Sequence, residues 1–121
     1  MSDGAAARIG SVLYPSTDVA ASAAFYRDGL GLPVRFTDGD RFAALDGGGV
    51  TLALAAGGEE VTGGVPAVSV RVPDVEAAVA ELTRRGAPLL RPAEAGPHEV
   101  RAVVGDPSGN PVVLYSPLPR R

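Results

Sequence analysis

The segment VPAVSVRVPDVEAAVAELTRRG, residues 65–86, has the pattern of one complete strand, turn and helix. Apolar residues alternate from Val68 to Val72, which is the period of a strand with one buried face. Asp74 then occupies the position of a helix N-cap, and Gly86 offers a stop at the C-terminal end. This segment therefore predicts a β-strand followed by an amphipathic helix.

The same pattern occurs 56 positions earlier, in SVLYPSTDVAASAAFYRDGL, residues 11–30. Asp18 then aligns with Asp74, and Tyr26 aligns with Leu82. The chain is thus predicted to be an internal duplication. Because 121 residues are expected to form one domain, the two copies should share one core.

Turn residues divide the rest of each copy into short strands. Asp-Gly and Gly-Gly pairs between apolar runs are typical of hairpins, so a three-stranded meander follows the first helix and gives a βαβββ unit. The predicted elements of the first copy are a strand over 9–16, a helix over 19–28 and strands over 34–37, 41–46 and 50–55. Those of the second are a strand over 67–72, a helix from 75, strands over 88–91, 99–105 and 112–116, and a loop over 92–97.

The predicted organisation is a disordered N-terminus over 1–8 and a single domain over 9–117. Within that domain we expect a βαβββ module over 9–57, a linker over 58–64 and a second module over 65–117. The glycine-rich connection AGGEEVTGG, residues 56–64, is predicted to be flexible and to lie on the surface.

Composition excludes several classes of chemistry. The chain has no cysteine and no lysine, so thiolate catalysis, disulfides and Schiff-base chemistry are absent. A net charge of −3 without a basic stripe argues against a nucleic-acid partner. The sequence carries neither an export signal nor an apolar run long enough for a membrane span, so the cytoplasm is the expected location.

Three segments carry a resemblance to a known family: STDVAASAAFYRDGLGL, VPDVEAAVAELTRRGA and DPSGNPVVLYSP. Together they resemble the vicinal oxygen chelate superfamily of glyoxalases, extradiol dioxygenases and bleomycin resistance proteins, over about residues 9–117. The resemblance implies an α+β fold in which duplicated βαβββ modules form a curved, half-open eight-stranded sheet around a cavity.

Metal-dependent members of that superfamily place one ligand on each of four strands. The resemblance puts those positions at Ser11, Ala53, Ala67 and Val113, none of which offers an imidazole or carboxylate. A register error of two residues would substitute Leu13, Thr51, Ala55, Ser69 or Tyr115, which are no better as ligands. We therefore expect no metal and no cofactor, and a binding function is favoured over an enzymatic one.

The segment FTDGDRFAALDGGGVTLALAAG, residues 36–57, looks like the metal-free bleomycin-resistance branch. Members of that branch bind drugs in grooves between two subunits, which implies a homodimer. By strand alternation, the cavity face should carry many small residues and so leave room for a ligand, unless loops or a partner fill that space. The predicted ligand-binding residues are Ser11, Leu13, Phe36, Phe42, Ala53, Ala67, Ser69, Arg71, His98, Arg101, Val113 and Tyr115.

Each polar or aromatic member of this set also has a purely structural interpretation. Phe36 and Phe42 could stack on a planar ligand or simply cover the sheet. Arg71 and Arg101 could bind a ligand or lie in solvent, and a buried guanidinium would require an acceptor. His98, the one histidine, could donate to a ligand or be solvated in its loop.

The leading hypothesis is a bacterial antibiotic-resistance protein that sequesters an apolar, aromatic drug or natural product. The alternative is a metal-free isomerase, cyclase or lyase acting on a biosynthetic intermediate, with an acid at the ligand. The available acids are Asp46, Glu59, Glu94 and Glu99. A third possibility is a metal-dependent enzyme whose strand register has been misassigned.

Overall fold

The computed structural model describes residues 7–118, which fall into two compact units. The first unit runs from Gly10 to Pro66. The second unit comprises the chain from Ala67 onward together with the residues that precede Gly10.

The first unit contains one helix and four strands in the sheet order β2-β3-β4-β1. The strands β1 and β4 are parallel, and the pairs β2/β3 and β3/β4 are antiparallel. A π-helical turn, Phe25–Gly29, continues the helix. The elements are β1 Arg8–Pro15, α1 Val19–Ala24, β2 Val34–Asp38, β3 Phe42–Asp46 and β4 Thr51–Ala55.

The second unit repeats this arrangement in the order β5-β8-β7-β6, with β5 and β8 parallel. Its elements are β5 Ala67–Arg71, α2 Val75–Arg84, β6 Leu89–Ala95, β7 Glu99–Gly105 and β8 Pro111–Pro117. All eight strands lie in open, mixed β-sheet. The predicted α+β class with duplicated βαβββ modules is confirmed.

The helix starts show the duplication at atomic level. Asp18 Oδ1 accepts a hydrogen bond of 3.0 Å from the Ala21 backbone N–H. Asp74 Oδ1 accepts the equivalent bond, also 3.0 Å, from the Ala77 backbone N–H. Both caps satisfy a donor that the first helical turn leaves unpaired.

Each helix packs on one face of its own four-stranded sheet. In the first unit, Val19 of α1 is buried with Leu45 of β3 and Leu54 of β4. In the second, Val75 of α2 is buried with Leu114 of β8. The opposite face of each sheet is called the helix-distal face below.

Two element boundaries differ from the sequence-based expectations. The predicted loop over 92–97 is largely strand, because β6 continues to Ala95 through two register shifts. Pro92 is tolerated there because β6 is an edge strand whose irregularities leave ladder positions unpaired. The first strand begins at Arg8, whereas residues 1–6 of the predicted disordered N-terminus lie outside the described residues.

The connection over 56–64 does not lie wholly on the surface. A 3₁₀ turn, Gly57–Glu59, follows β4, and Glu59 is only 9% exposed. Val61 is only 5% exposed, although it is the one large apolar residue of the glycine-rich segment. Burying that side chain anchors the middle of the segment.

The turn DPSGN, residues 106–110, is organised by one carboxylate. Asp106 Oδ1 accepts hydrogen bonds from the backbone N–H groups of Ser108 and Asn110, at 2.9 and 2.8 Å. Asp106 Oδ2 accepts a third bond, 3.0 Å long, from the Asn110 side-chain amide. These donors, the Asn110 side chain foremost, hold the pKa of Asp106 below its ordinary value of 3.8.

The lowered pKa of Asp106 predicts a pH-dependent contribution to stability. The contribution is present above the unfolded-state pKa and is lost as the pH falls through the lower pKa of the folded state. Replacing Asp106→Asn should therefore reduce the free energy of unfolding at pH 7, with a smaller effect near pH 2. Urea denaturation at both pH values measures this difference.

The matched control for this prediction is Asp40→Asn. Asp40 is an exposed carboxylate in the β2–β3 turn. Its side chain interacts electrostatically with Arg41 but makes no hydrogen bond within residues 7–118. Equal pH profiles for the two variants would contradict the role assigned to Asp106.

Candidate functional site

In the first unit, strand pairing places five sequence-predicted site residues on the helix-distal face. Leu13 pairs with Ala53, Ala53 with Ala44 and Ala44 with Phe36, so these four side chains form one row across the sheet. Ser11 lies on the same face two positions before Leu13, and Phe42 lies there two positions before Ala44. The structure therefore brings Ser11, Leu13, Phe36, Phe42 and Ala53 together on one face.

Accessibility on this face is uneven. Leu13 and Ala53 are buried, whereas Phe36 is 45% exposed and Phe42 is half-buried. The two phenylalanine rings have centroids 6.2 Å apart and are tilted by 55°. An incoming molecule would meet these two rings, which offer a large apolar area at little conformational cost.

In the second unit, the helix-distal face carries a row of polar side chains. Arg71 on β5 pairs with Tyr115 on β8, Tyr115 pairs with Arg101 on β7, and Arg101 pairs with Glu94 on β6. The arginines and the tyrosine are half-buried, and Glu94 is exposed. Sequence reasoning named both arginines and Tyr115 as ligand contacts, and the structure places them side by side.

The remaining predicted residues of this unit lie nearby in the ladder or in its loop. Ser69 pairs with Val113 in the row next to that of Arg71 and Tyr115. Ala67 shares that face, and all three of these residues are buried. His98 is exposed in the turn between β6 and β7. The Arg101 guanidinium lies beside Gly96 of the same turn, with its carbon 3.4 Å from where a Cβ on Gly96 would be.

An open groove of about 240 Å³ lies at the end of β5. Its lining residues are two arginines, one valine and two prolines: Arg8, Arg71, Val72, Pro73 and Pro117. Sequence reasoning missed Arg8, which was assigned to a disordered N-terminus. No local pattern marks it, because it meets Arg71 only through folding.

The four positions to which the resemblance assigns metal ligands lie on the helix-distal faces. Ser11 and Ala53 lie on this face of the first unit, and Ala67 and Val113 lie on that of the second. The alternative register brings hydroxyl, phenol and alkyl groups to the same faces, again without imidazole or carboxylate. Within residues 7–118, no three His, Cys, Asp or Glu side chains are grouped to hold a metal ion. These donors therefore do not fit a divalent cation.

Two of the four candidate acids have well-defined surroundings. Asp46 accepts a hydrogen bond of 2.8 Å from the Gly48 backbone N–H and pairs with Arg35. These donors, Gly48 first, lower the pKa of Asp46, so its carboxylate is ionised and already engaged. Glu59 is the acid that the structure buries, four residues beyond the end of β4.

Sequence comparisons identify relatives along almost the whole chain. A family model for a glyoxalase-like domain matches residues 11–115. An uncharacterized protein of Mycolicibacterium smegmatis is 41% identical over 109 residues, which cover 90% of this chain and 93% of that protein.

Solved structures share the fold at lower sequence identity. A glyoxalase/bleomycin resistance protein/dioxygenase superfamily member from Vibrio splendidus matches with a TM-score of 0.70 at 21% identity, covering 91% of this chain and 98% of that one. The methylmalonyl-CoA epimerase of Mycobacterium tuberculosis also has a TM-score of 0.70, at 22% identity, covering 92% of this chain and 88% of that one.

No helix within residues 7–118 has the length and apolar character of a membrane span.

The lack of donors at the four metal positions leads to a direct prediction. Metal-stripped protein dialysed against Zn²⁺, Mn²⁺, Ni²⁺ or Fe²⁺ should retain fewer than about 0.1 ions per chain, since alkyl and hydroxyl groups are poor ligands for these ions. Elemental analysis after dialysis measures the retained metal, with His98→Ala as a control for surface binding. Retention of one ion per chain with a higher melting temperature would contradict the prediction.

Proposed function

Because the chain belongs to the glyoxalase-like domain family of the vicinal oxygen chelate superfamily, we propose that it binds and sequesters an apolar, aromatic small molecule without a metal. Binding would lower the concentration of free toxin, with no bond made or broken. The bleomycin-resistance branch is the proposed model for this activity, and a bacterial cytoplasm is its proposed setting.

The observation that carries this proposal is the Phe36–Phe42 pair on the helix-distal face of the first unit. Phe36 is exposed and Phe42 is half-buried, and small or buried side chains lie beside them on the same face. Such a surface suits stacking by a flat ligand, because offset and tilted aromatic contacts are favourable. The second unit has guanidinium and phenol groups on its own helix-distal face, and these can hydrogen-bond to polar groups.

The donor chemistry of the family's metal positions supports the same proposal. Chelation-assisted catalysis requires a bound cation to polarise the substrate. The residues Ser11, Ala53, Ala67 and Val113 supply no groups for that purpose. Sequestration, in contrast, requires only complementary shape and polarity.

We expect purified, metal-stripped protein to bind at least one compound from a panel of bleomycin-type, enediyne, anthraquinone and mitomycin molecules. Phe36→Ala and Phe42→Leu should each weaken that binding by about tenfold, since an aromatic side chain contributes about 1–2 kcal/mol through apolar contact and stacking. Isothermal titration calorimetry gives the affinity and the stoichiometry. Phe25→Ala is the matched control, because Phe25 is exposed on the π-helical turn, away from this face.

Product analysis of the same mixtures tests the alternative of a metal-free enzyme. Glu59 is the buried member of the four candidate acids, and we therefore take it as the candidate general acid or base of that alternative. Recovery of unchanged compound would support sequestration. Turnover that Glu59→Gln abolishes, or binding only after a divalent metal is restored, would overturn it.

The proposal includes a homodimer. The edge strand β6 exposes two large apolar side chains, Leu89 and Leu90, at 44% and 52%. Exposed apolar groups on an edge strand are suited to pairing with a second copy. Sedimentation should therefore give the mass of two chains, and Leu90→Glu should shift it toward one chain, whereas Leu30→Glu on the first unit should not. A monomer at all concentrations would contradict this part of the proposal.

A further inference from the structure

The groove at the end of β5 has a distinctive charge. Two of its five lining residues are arginines, Arg8 and Arg71, and none is acidic. The parallel strands β5 and β8 end here, at Arg71 and Pro117. Glu99 pairs with Pro117 in the β7/β8 ladder and is thus an acidic residue near the groove, but it is not one of the lining residues.

Among the arginines within residues 7–118, Arg8 and Arg71 are the two whose side chains have no hydrogen bond or ion pair. Six arginines form ion pairs, and Arg101 has contacts of its own. The paired ones are Arg27, Arg35, Arg41, Arg84, Arg85 and Arg91. No hydrogen bond or ion pair joins the Arg8 or Arg71 side chain to another residue within 7–118.

Two arginines that line one groove give it a positive charge, and an anion bound there would reduce any repulsion between the two. Guanidinium donors match the geometry of carboxylate and phosphate oxygens, and such charge-assisted hydrogen bonds are stronger than neutral ones. The other walls, Val72, Pro73 and Pro117, are apolar, and the two proline rings are rigid. The groove thus offers positive charge to an anionic group and apolar residues to whatever is attached to that group.

The volume of the groove limits the size of the group that can bind in it. Pockets for drug-sized molecules typically measure about 300–1,000 Å³, and this groove measures about 240 Å³. It suits an anionic group with a small apolar attachment better than a whole multi-ring compound. Tyr115, the ladder partner of Arg71, adds a phenol on the same face of the sheet.

We infer that Arg8 and Arg71 form an anion-binding groove that takes the carboxylate or phosphate group of an otherwise apolar ligand. The inference extends the proposed function, because Arg71 is already among the proposed ligand-binding residues. The inference adds Arg8, which lies at the start of β1 and near the end of β5, to the ligand-binding residues. It also requires that the ligand carry a negative charge.

The test uses three probes with the same ring system: 2-naphthoate, 2-naphthyl phosphate and the neutral 2-naphthalenemethanol. Inorganic phosphate alone serves as a fourth probe. Titrations of the full chain, followed by NMR of the arginine side-chain Nε–H signals, report binding at each guanidinium. Repeating them at about 20 mM and about 500 mM NaCl tests for charge, because exposed ion pairs are screened by salt.

At low salt, naphthoate or naphthyl phosphate should bind about tenfold more tightly than naphthalenemethanol, as expected for hydrogen bonds to a charged group. The Arg8 and Arg71 signals should shift, and whichever anion binds better identifies the group as carboxylate or phosphate. Arg8→Gln and Arg71→Gln should each remove the preference, and Arg71→Lys should retain part of it. Arg91→Gln, in the same unit but paired with Glu94, should leave it unchanged.

The remaining outcomes separate this inference from the proposed function. If all naphthalene probes bind equally and only Phe36→Ala weakens them, the anion groove is refuted and aromatic sequestration stands. If the anions bind through Arg8 and Arg71 while naphthalenemethanol does not bind, the groove is supported and aromatic sequestration is refuted. If no anion shifts either arginine signal at low salt, the inference is wrong. Unchanged spectra of the Gln variants away from the groove establish that they are folded.

Discussion

The parallel pairing of the first and last strands in each module is the constraint on which the rest of the structure depends. β1 pairs with β4, and β5 pairs with β8, so each helix must cross one face of its own sheet. That face is then filled by apolar side chains from the helix, such as Val19 and Val75. The opposite face receives no helix of its own module. On that face Phe36 is exposed and Arg71 and Tyr115 are half-buried, whereas the central residues, such as Ala53 and Val113, are buried.

The two copies preserve their helix-facing positions but differ on the helix-distal face. Asp18 and Asp74 cap equivalent helices with equivalent hydrogen bonds. On the other face, Pro15 in the first copy occupies the position that Arg71 occupies in the second. The first copy thus presents two aromatic rings, and the second presents guanidinium and phenol groups. This division gives the first unit an aromatic surface and the second unit a polar one.

Much of the fold and part of the candidate site could be predicted from the sequence. The alternation of residues in β1, β4, β5 and β8 was sufficient to place Ser11, Ala53, Ala67 and Val113 on the helix-distal faces, because side-chain direction has a strict period of two in a strand. Boundaries were less accurate where strand pairing is irregular. β6 continues beyond Arg91 through register shifts, and such bulges depend on the partner strand rather than on local residue types.

The sequence by itself determined the duplication, the strand and helix order, the helix caps and the lack of metal donors, because all of these depend on residue type and local spacing. Only the tertiary structure decided which accessible groups meet. It buried Glu59 and Val61 in a segment expected to lie on the surface, and it brought Arg8 to Arg71 across more than half the chain. Such contacts follow from pairing between strands that are far apart in the sequence. A local sequence pattern does not contain the information needed to predict them.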